Sequence, residues 1–215
     1  MTLKEIDDLI AELSKSSKIE DYREYWKEKT PTDAEEIENR WLFAFLSVHT
    51  PWSANVRSYL LLKANKDKWR NNRDELMRLL KESKVGLYNM RCKAIWEFFQ
   101  LKIRDKHEGE SWVDYRDMLQ DYIYGLGPAK TAFALEMIDP LGCEAVCLDT
   151  HMLQLYGYDT KEVSKVNSGK YYREIEEHWL SCCRKHDIEP FIARCLFWDQ
   201  KQMQNSSAYW AYILE

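Results

Sequence analysis

The chain has 215 residues, 45% of them hydrophobic and including nine Trp and thirteen Tyr, so it can bury a substantial core as one compact domain or as two closely packed helical lobes. Seven Gly and five Pro leave little room for long irregular regions, no apolar run reaches membrane-spanning length, and Met1-Thr2-Leu3-Lys4 does not open a signal peptide, so an intracellular chain with no membrane partner is expected. A net charge of -5 argues against a protein that coats nucleic acid indiscriminately, while leaving room for one local basic face.

Thr2-Leu3-Lys4-Glu5 has the form of a capping box, and Ile6, Leu9, Ile10 and Leu13 follow at helical spacing. A short second helix is predicted over Tyr22 to Lys27. Another capped helix starts at Thr32-Asp33-Ala34-Glu35, becomes wholly apolar from Trp41 to Leu46, and so belongs at the centre. It ends near His49, because Pro51 disfavours helix at the residue before it. Helices are then predicted at 54–65, 72–83 and 89–104, with Asn72 and Asn89 as caps and Gly86 punctuating between the last two. The run Lys63, Lys66, Lys68, Arg70 and Arg73 is the densest in basic residues and reads as a solvated helix surface. Ser111 caps a helix that holds Trp112, Tyr115 and Leu119. Further helices are expected up to Leu155, then at 168–184 and 189–200, with Gly157 at a turn and the aromatic segment 206–215 docking back on the core. No repeats occur and alternating β-branched runs are few, so the fold class is all-α.

The most informative stretch is Tyr124 to Gly157. Gly125-Leu126-Gly127 predicts a tight hairpin in which both glycines tolerate positive φ, and Pro128 suits the first position of a helix. The N–H groups of Gly127, Ala129 and Lys130 would then crowd a helix N-terminus, an arrangement suited to a phosphate oxygen. Downstream, Val146, Cys147 and Leu148 lead into Asp149, at the natural N-cap of the following helix. The six cysteines lack metal-ligand spacing, Cys182 and Cys183 being adjacent and Cys195 following alone; they read as buried free thiols, with no iron–sulfur cluster and no zinc.

This stretch resembles the helix-hairpin-helix, Gly/Pro-rich loop and Asp signature of the endonuclease III-like DNA glycosylases. Gly86-Leu87-Tyr88-Asn89-Met90-Arg91 is similar to the segment upstream of the hairpin in those enzymes. Leu46-Ser47-Val48-His49-Thr50 is a looser match to the start of their DNA-intercalating loop. The three matches lie in the family order and cover residues 40–157. Cys195-Leu196-Phe197-Trp198-Asp199 also resembles, weakly, a C-terminal segment of small archaeal-type 8-oxoguanine glycosylases.

The resemblance implies a two-lobed helical fold with a DNA-binding cleft between the lobes, residues 30–140 making one lobe and 1–29 with 141–215 the other. It implies an N-glycosylase that excises a modified or damaged base flipped from double-stranded DNA. Asp149 would be the catalytic carboxylate, and Gly125, Leu126, Gly127, Ala129, His49, Asn89 and Arg91 would contact DNA, His49 as the wedge. No cofactor is expected beyond a structural monovalent cation at the hairpin, and the enzyme would act as a monomer in the cytoplasm at the nucleoid, or in a host's cytoplasm if phage-encoded. Lys130 departs from the pattern. Bifunctional relatives carry a Schiff-base Lys at the position of Ala129, and one residue rotates a side chain by about 100° around a helix. Lys130 is therefore either a nucleophile giving AP lyase activity or a phosphate contact in a hydrolytic enzyme. Two other readings remain: a phage-type relative acting on hypermodified thymine, and a non-catalytic helix-hairpin-helix DNA-binding protein.

Overall fold

The computed structural model describes residues 1–103, 105–159 and 170–202, and these are helical with no strand among them. The aromatic segment 206–215 lies outside the described residues. The helices are α1 Leu3–Leu13, α2 Ile19–Glu28, α3 Ala34–Leu46, α4 Trp52–Ala64, α5 Lys66–Trp69, α6 Arg73–Ser83, α7 Tyr88–Phe98, α8 Trp112–Gln120, α9 Pro128–Ile138, α10 Thr150–Leu155, α11 Lys170–Lys185 and α12 Pro190–Gln202. None of them is long and apolar enough to cross a membrane.

Local chemistry sets most of the starts. Thr2 and Glu5 close the capping box on α1. Asp33 accepts the Glu36 N–H at 2.8 Å, Asn72 those of Asp74 and Glu75 at 3.1 Å, and Ser111 that of Asp114 at 3.0 Å. Each cap satisfies amide donors that the first helical turn leaves open. Asn89 does not act as a cap: α7 begins one residue earlier, with Leu87 at the N-cap in the left-handed region (φ 46°). The same helix stops at Phe98, short of the predicted 104. Phe98 packs on Trp41 and Phe45 (5.1 Å each) and Phe99 on Trp69 (5.0 Å), and adjacent residues of a helix lie about 100° apart. Bringing both rings inward is easier where the helix ends. The short α5 follows α4 directly and buries Trp69, whose indole N–H donates to the Leu62 carbonyl at 2.8 Å.

The wholly apolar end of α3 is central as expected: every residue from Trp41 to Leu46 is buried. It packs against α4, α7 and α9; α6 lies on α4 and α7, and α8 on α9. From the other end of the chain, α12 packs on α1, α2 and α11. All six cysteines are buried and unbridged. The basic run is less of a free surface than its charge implied. Lys66 is buried against Asn39 and Glu38, and Arg70 pairs with Glu38 through both guanidinium nitrogens.

Candidate active site

The hairpin uses its two glycines differently. Gly125 has φ +86°, and a Cβ built there would sit 2.7 Å from the Ala94 Cβ and 3.3 Å from the Met90 sulfur. Only glycine meets both demands, the backbone conformation and the close approach to α7. Gly127 is instead extended (φ -87°, ψ 175°), with open space where a Cβ would go. Only Gly125 uses the positive φ that both glycines tolerate. Leu126 is buried, so its side chain anchors the hairpin in the core.

Gly127 is the N-cap of α9 and Pro128 its first residue. Its carbonyl accepts the N–H groups of Lys130 and Thr131, both at 3.0 Å, so the Lys130 amide is not available to an anion. Among the described residues the amides of Gly127 and Ala129 have no hydrogen-bond partner, and they are what the hairpin can offer a phosphate. Ala129 is buried, while Lys130 is half-buried with its ammonium 5.2 Å from the centre of the Phe133 ring.

Asp149 is reached by a segment, Ala145 to Leu148, that is fully buried yet belongs to no helix. Buried backbone polar groups must find partners, and here side chains supply them. The Val146 N–H donates to Glu176 at 2.8 Å, the Cys147 N–H to Glu136 at 3.0 Å and the Leu148 N–H to the Tyr172 hydroxyl at 3.1 Å; that hydroxyl donates in turn to the Val146 carbonyl at 2.6 Å. Burial pushes both Glu136 and Glu176 up from the ordinary carboxyl range, and the cations opposing this are Arg194 and Arg116, each paired with its glutamate inside the core. Burial alone would lower the Arg194 guanidinium, but Glu136, then Cys147 and Asp149, raise it. Burial also pushes the Cys147 thiol up to about 12, so it is an inert core group.

The Asp149 side chain caps α10. Its Oδ1 accepts the N–H groups of His151 at 2.9 Å and Met152 at 3.0 Å. Its Oδ2 accepts the indole N–H of Trp198 at 2.8 Å, with the Arg194 guanidinium 3.8 Å away. The His151 ring meets Trp198 edge-on at 4.7 Å. The Asp149 side chain keeps 16% exposure, and that exposure opens onto a cavity.

The cavity has a volume of about 680 Å³. Gly125, Gly127, Ala129 and Lys130 line one side, Leu148 to His151 with Trp198 another, and Ser47 to Thr50 a third. Six residues singled out in the sequence therefore meet around one space: His49, Gly125, Gly127, Ala129, Lys130 and Asp149. His49 itself has φ 49°, unusual for a residue with a side chain.

Three of the residues expected to contact DNA, Leu126, Asn89 and Arg91, do not line the cavity. Asn89 is exposed but does not line the cavity. Arg91 is buried, and its guanidinium is spent on the Val85, Gly86, Leu46 and Val48 carbonyls and the Thr50 hydroxyl. It braces the 46–50 wall from behind, and burial lowers it from the usual arginine range. Glu136, Tyr172, Glu176, Arg194 and Trp198 were not singled out for the site by the sequence. A glutamate amid the apolar residues of α9 and an arginine amid those of α12 were the available signals, since buried charges need partners.

No protein-family model matches the chain, and no curated protein or solved structure does either.

Proposed function

We propose that the chain is a DNA N-glycosylase of the helix-hairpin-helix type, which excises a modified base from duplex DNA as a monomer, with the DNA lying in a cleft between two helical lobes. The observation that carries this reading is the meeting of Asp149, Lys130 and the hairpin glycines around one cavity. The motif order described above supports it.

In this reading the Gly127 and Ala129 amides hold a backbone phosphate and the flipped nucleotide enters the cavity. Breaking the N-glycosidic bond sends its electron pair to the departing base and leaves positive charge on the sugar. Asp149 stabilises that charge electrostatically. Its carboxylate can also take the proton from the attacking nucleophile, which is water or the Lys130 amine.

The test is a panel of duplexes carrying different modified bases, scored for free base release and, separately, for strand cleavage with and without alkali. Asp149→Asn is the matched control, because Asn caps a helix as well as Asp does and keeps the acceptor for the His151 and Met152 amides. The expected result is release of at least one base by the wild type, a loss of about 100-fold or more in Asp149→Asn, and unchanged DNA binding. Equal turnover by both proteins removes Asp149 from the chemistry.

A further inference from the structure

α12 presents Arg194 and Trp198 four residues apart, hence on one face. Trp198 donates its indole N–H to Asp149 Oδ2 at 2.8 Å, and the Arg194 guanidinium, whose hydrogen bonds go to Glu136, stands 3.8 Å from the same atom. A carboxylate has about four acceptor positions, two on each oxygen. On Asp149 the two amides of α10 fill Oδ1, and Trp198 takes one position on Oδ2. Arg194 stands beyond hydrogen-bonding distance and acts through charge alone. One acceptor position is left on Oδ2, and the exposed part of this side chain borders the cavity.

We propose that Trp198 is a positioning residue for Asp149, its indole N–H holding the carboxylate so that the one open lone pair of Oδ2 faces the cavity. The inference rests on the glycosylase reading for its catalytic consequence, but the hydrogen bond itself does not. Without the donor, two positions on Oδ2 are open and the side chain is held only through Oδ1, so the carboxylate is less well aimed at the sugar or the nucleophile. Small losses of aim are costly in catalysis because pre-set geometry supplies much of the rate. Trp198 is itself steadied by the edge of His151, whose own backbone amide is bound to Asp149, so ring, carboxylate and helix start form one closed unit.

The experiment uses the full chain and has two arms. In the first, ¹⁵N-labelled wild type and Asp149→Asn are compared by NMR of the indole N–H groups, with Trp198→Phe assigning the resonance. Asparagine keeps its oxygen on the α10 amides and turns its NH₂ toward the indole, so the Trp198 signal is expected to move and its hydrogen exchange to speed up. A Trp198 signal indifferent to Asp149→Asn overturns the proposal. In the second arm, single-turnover base release is measured for Trp198→Phe on the duplex that the wild type processes. The expected result is about a tenfold slower release with DNA affinity unchanged, a split that a general loss of folding would not produce. A wild-type rate in Trp198→Phe overturns the positioning role. If Trp198→Phe does not fold, the first arm decides without the assignment: of the nine indole signals one is expected to move in Asp149→Asn, and a spectrum in which none moves overturns the proposal. A wild type that releases no base from any duplex, together with an indole signal that does move, overturns the glycosylase reading alone.

Discussion

Glu136, on α9, accepts the backbone N–H of Cys147 at 3.0 Å while its carboxylate is also paired with the buried guanidinium of Arg194. One side chain thus ties the helix that follows the hairpin to the segment that delivers Asp149, and neutralises the cation beside that aspartate. The two halves of the cavity are held in register by a charge pair inside the core.

Glu136→Gln tests this. It keeps an acceptor for the Cys147 amide but leaves the Arg194 charge buried without its principal partner. Breaking a buried pair in this way costs about 3–5 kcal/mol, and urea unfolding is expected to show a loss in that range with the m-value unchanged. A loss below about 1 kcal/mol, the scale of an exposed pair, means the charge is compensated otherwise.

The two hairpin glycines should respond in opposite ways. Gly125→Ala forces a side chain into positive φ and onto the Ala94 Cβ at 2.7 Å. The backbone strain of about 1–2 kcal/mol and overpacking of about 1–3 kcal/mol together predict a strongly destabilised protein. Gly127→Ser meets no steric bar, and a serine at an N-cap can bind the free amides of the first turn. Thermal stability should hold or rise slightly, while affinity for duplex DNA at fixed salt falls, because the hydroxyl competes with the phosphate for the Ala129 N–H. Stability and affinity that move together would remove the hairpin from the binding surface.

Asp7 joins α1 to the end of α11. The Lys185 ammonium and then the His186 ring, 2.8 Å away, pull its carboxyl from 3.8 down to about 2. A carboxyl depressed in the folded state contributes stability above its unfolded value, and loses that contribution as pH falls through the folded one. The difference in thermal midpoint between wild type and Asp7→Asn is therefore expected to be full at pH 6 and to shrink between pH 4 and pH 2. A constant difference across that window would show that Asp7 acts through packing and not through its charge.

The parts of this structure that are local in sequence were legible there. Thr2, Asp33, Asn72, Ser111 and Asp149 each cap a helix because the side chain and the amides it satisfies lie within three residues of each other. The unbroken apolar run Trp41 to Leu46 marked the central helix for the same reason. Interactions across the chain left no such trace. Nothing near Trp198 announces a partner 49 residues away, and nothing near Arg91 shows that its guanidinium is engaged by two carbonyls and a hydroxyl 41 to 45 residues earlier. Gly127 illustrates a subtler limit. Glycine permits positive φ without requiring it, so the residue type alone could not tell its extended conformation from the left-handed one at Gly125.

On the proposed glycosylase reading, Lys130 separates the two mechanisms. It stands one position after the site of the nucleophilic lysine in the bifunctional enzymes that the hairpin resembles, yet its side chain lines the cavity with Asp149, whereas Ala129 brings no functional group there. As nucleophile, the amine attacks the sugar C1′ while the base leaves with the bonding electrons; ring opening then gives an imine between enzyme and DNA. Borohydride reduces that imine to a stable amine, so the expected outcome on a processed duplex is a covalent complex visible on a denaturing gel, absent in Lys130→Gln. Strand cleavage without alkali should disappear in the same variant. If base release proceeds with no trapped complex, water is the nucleophile and Lys130 serves as a phosphate contact. In that case Lys130→Gln should retain turnover at saturating DNA and lose only affinity, by a factor that narrows as salt is raised, since screening weakens the contact that the substitution removes.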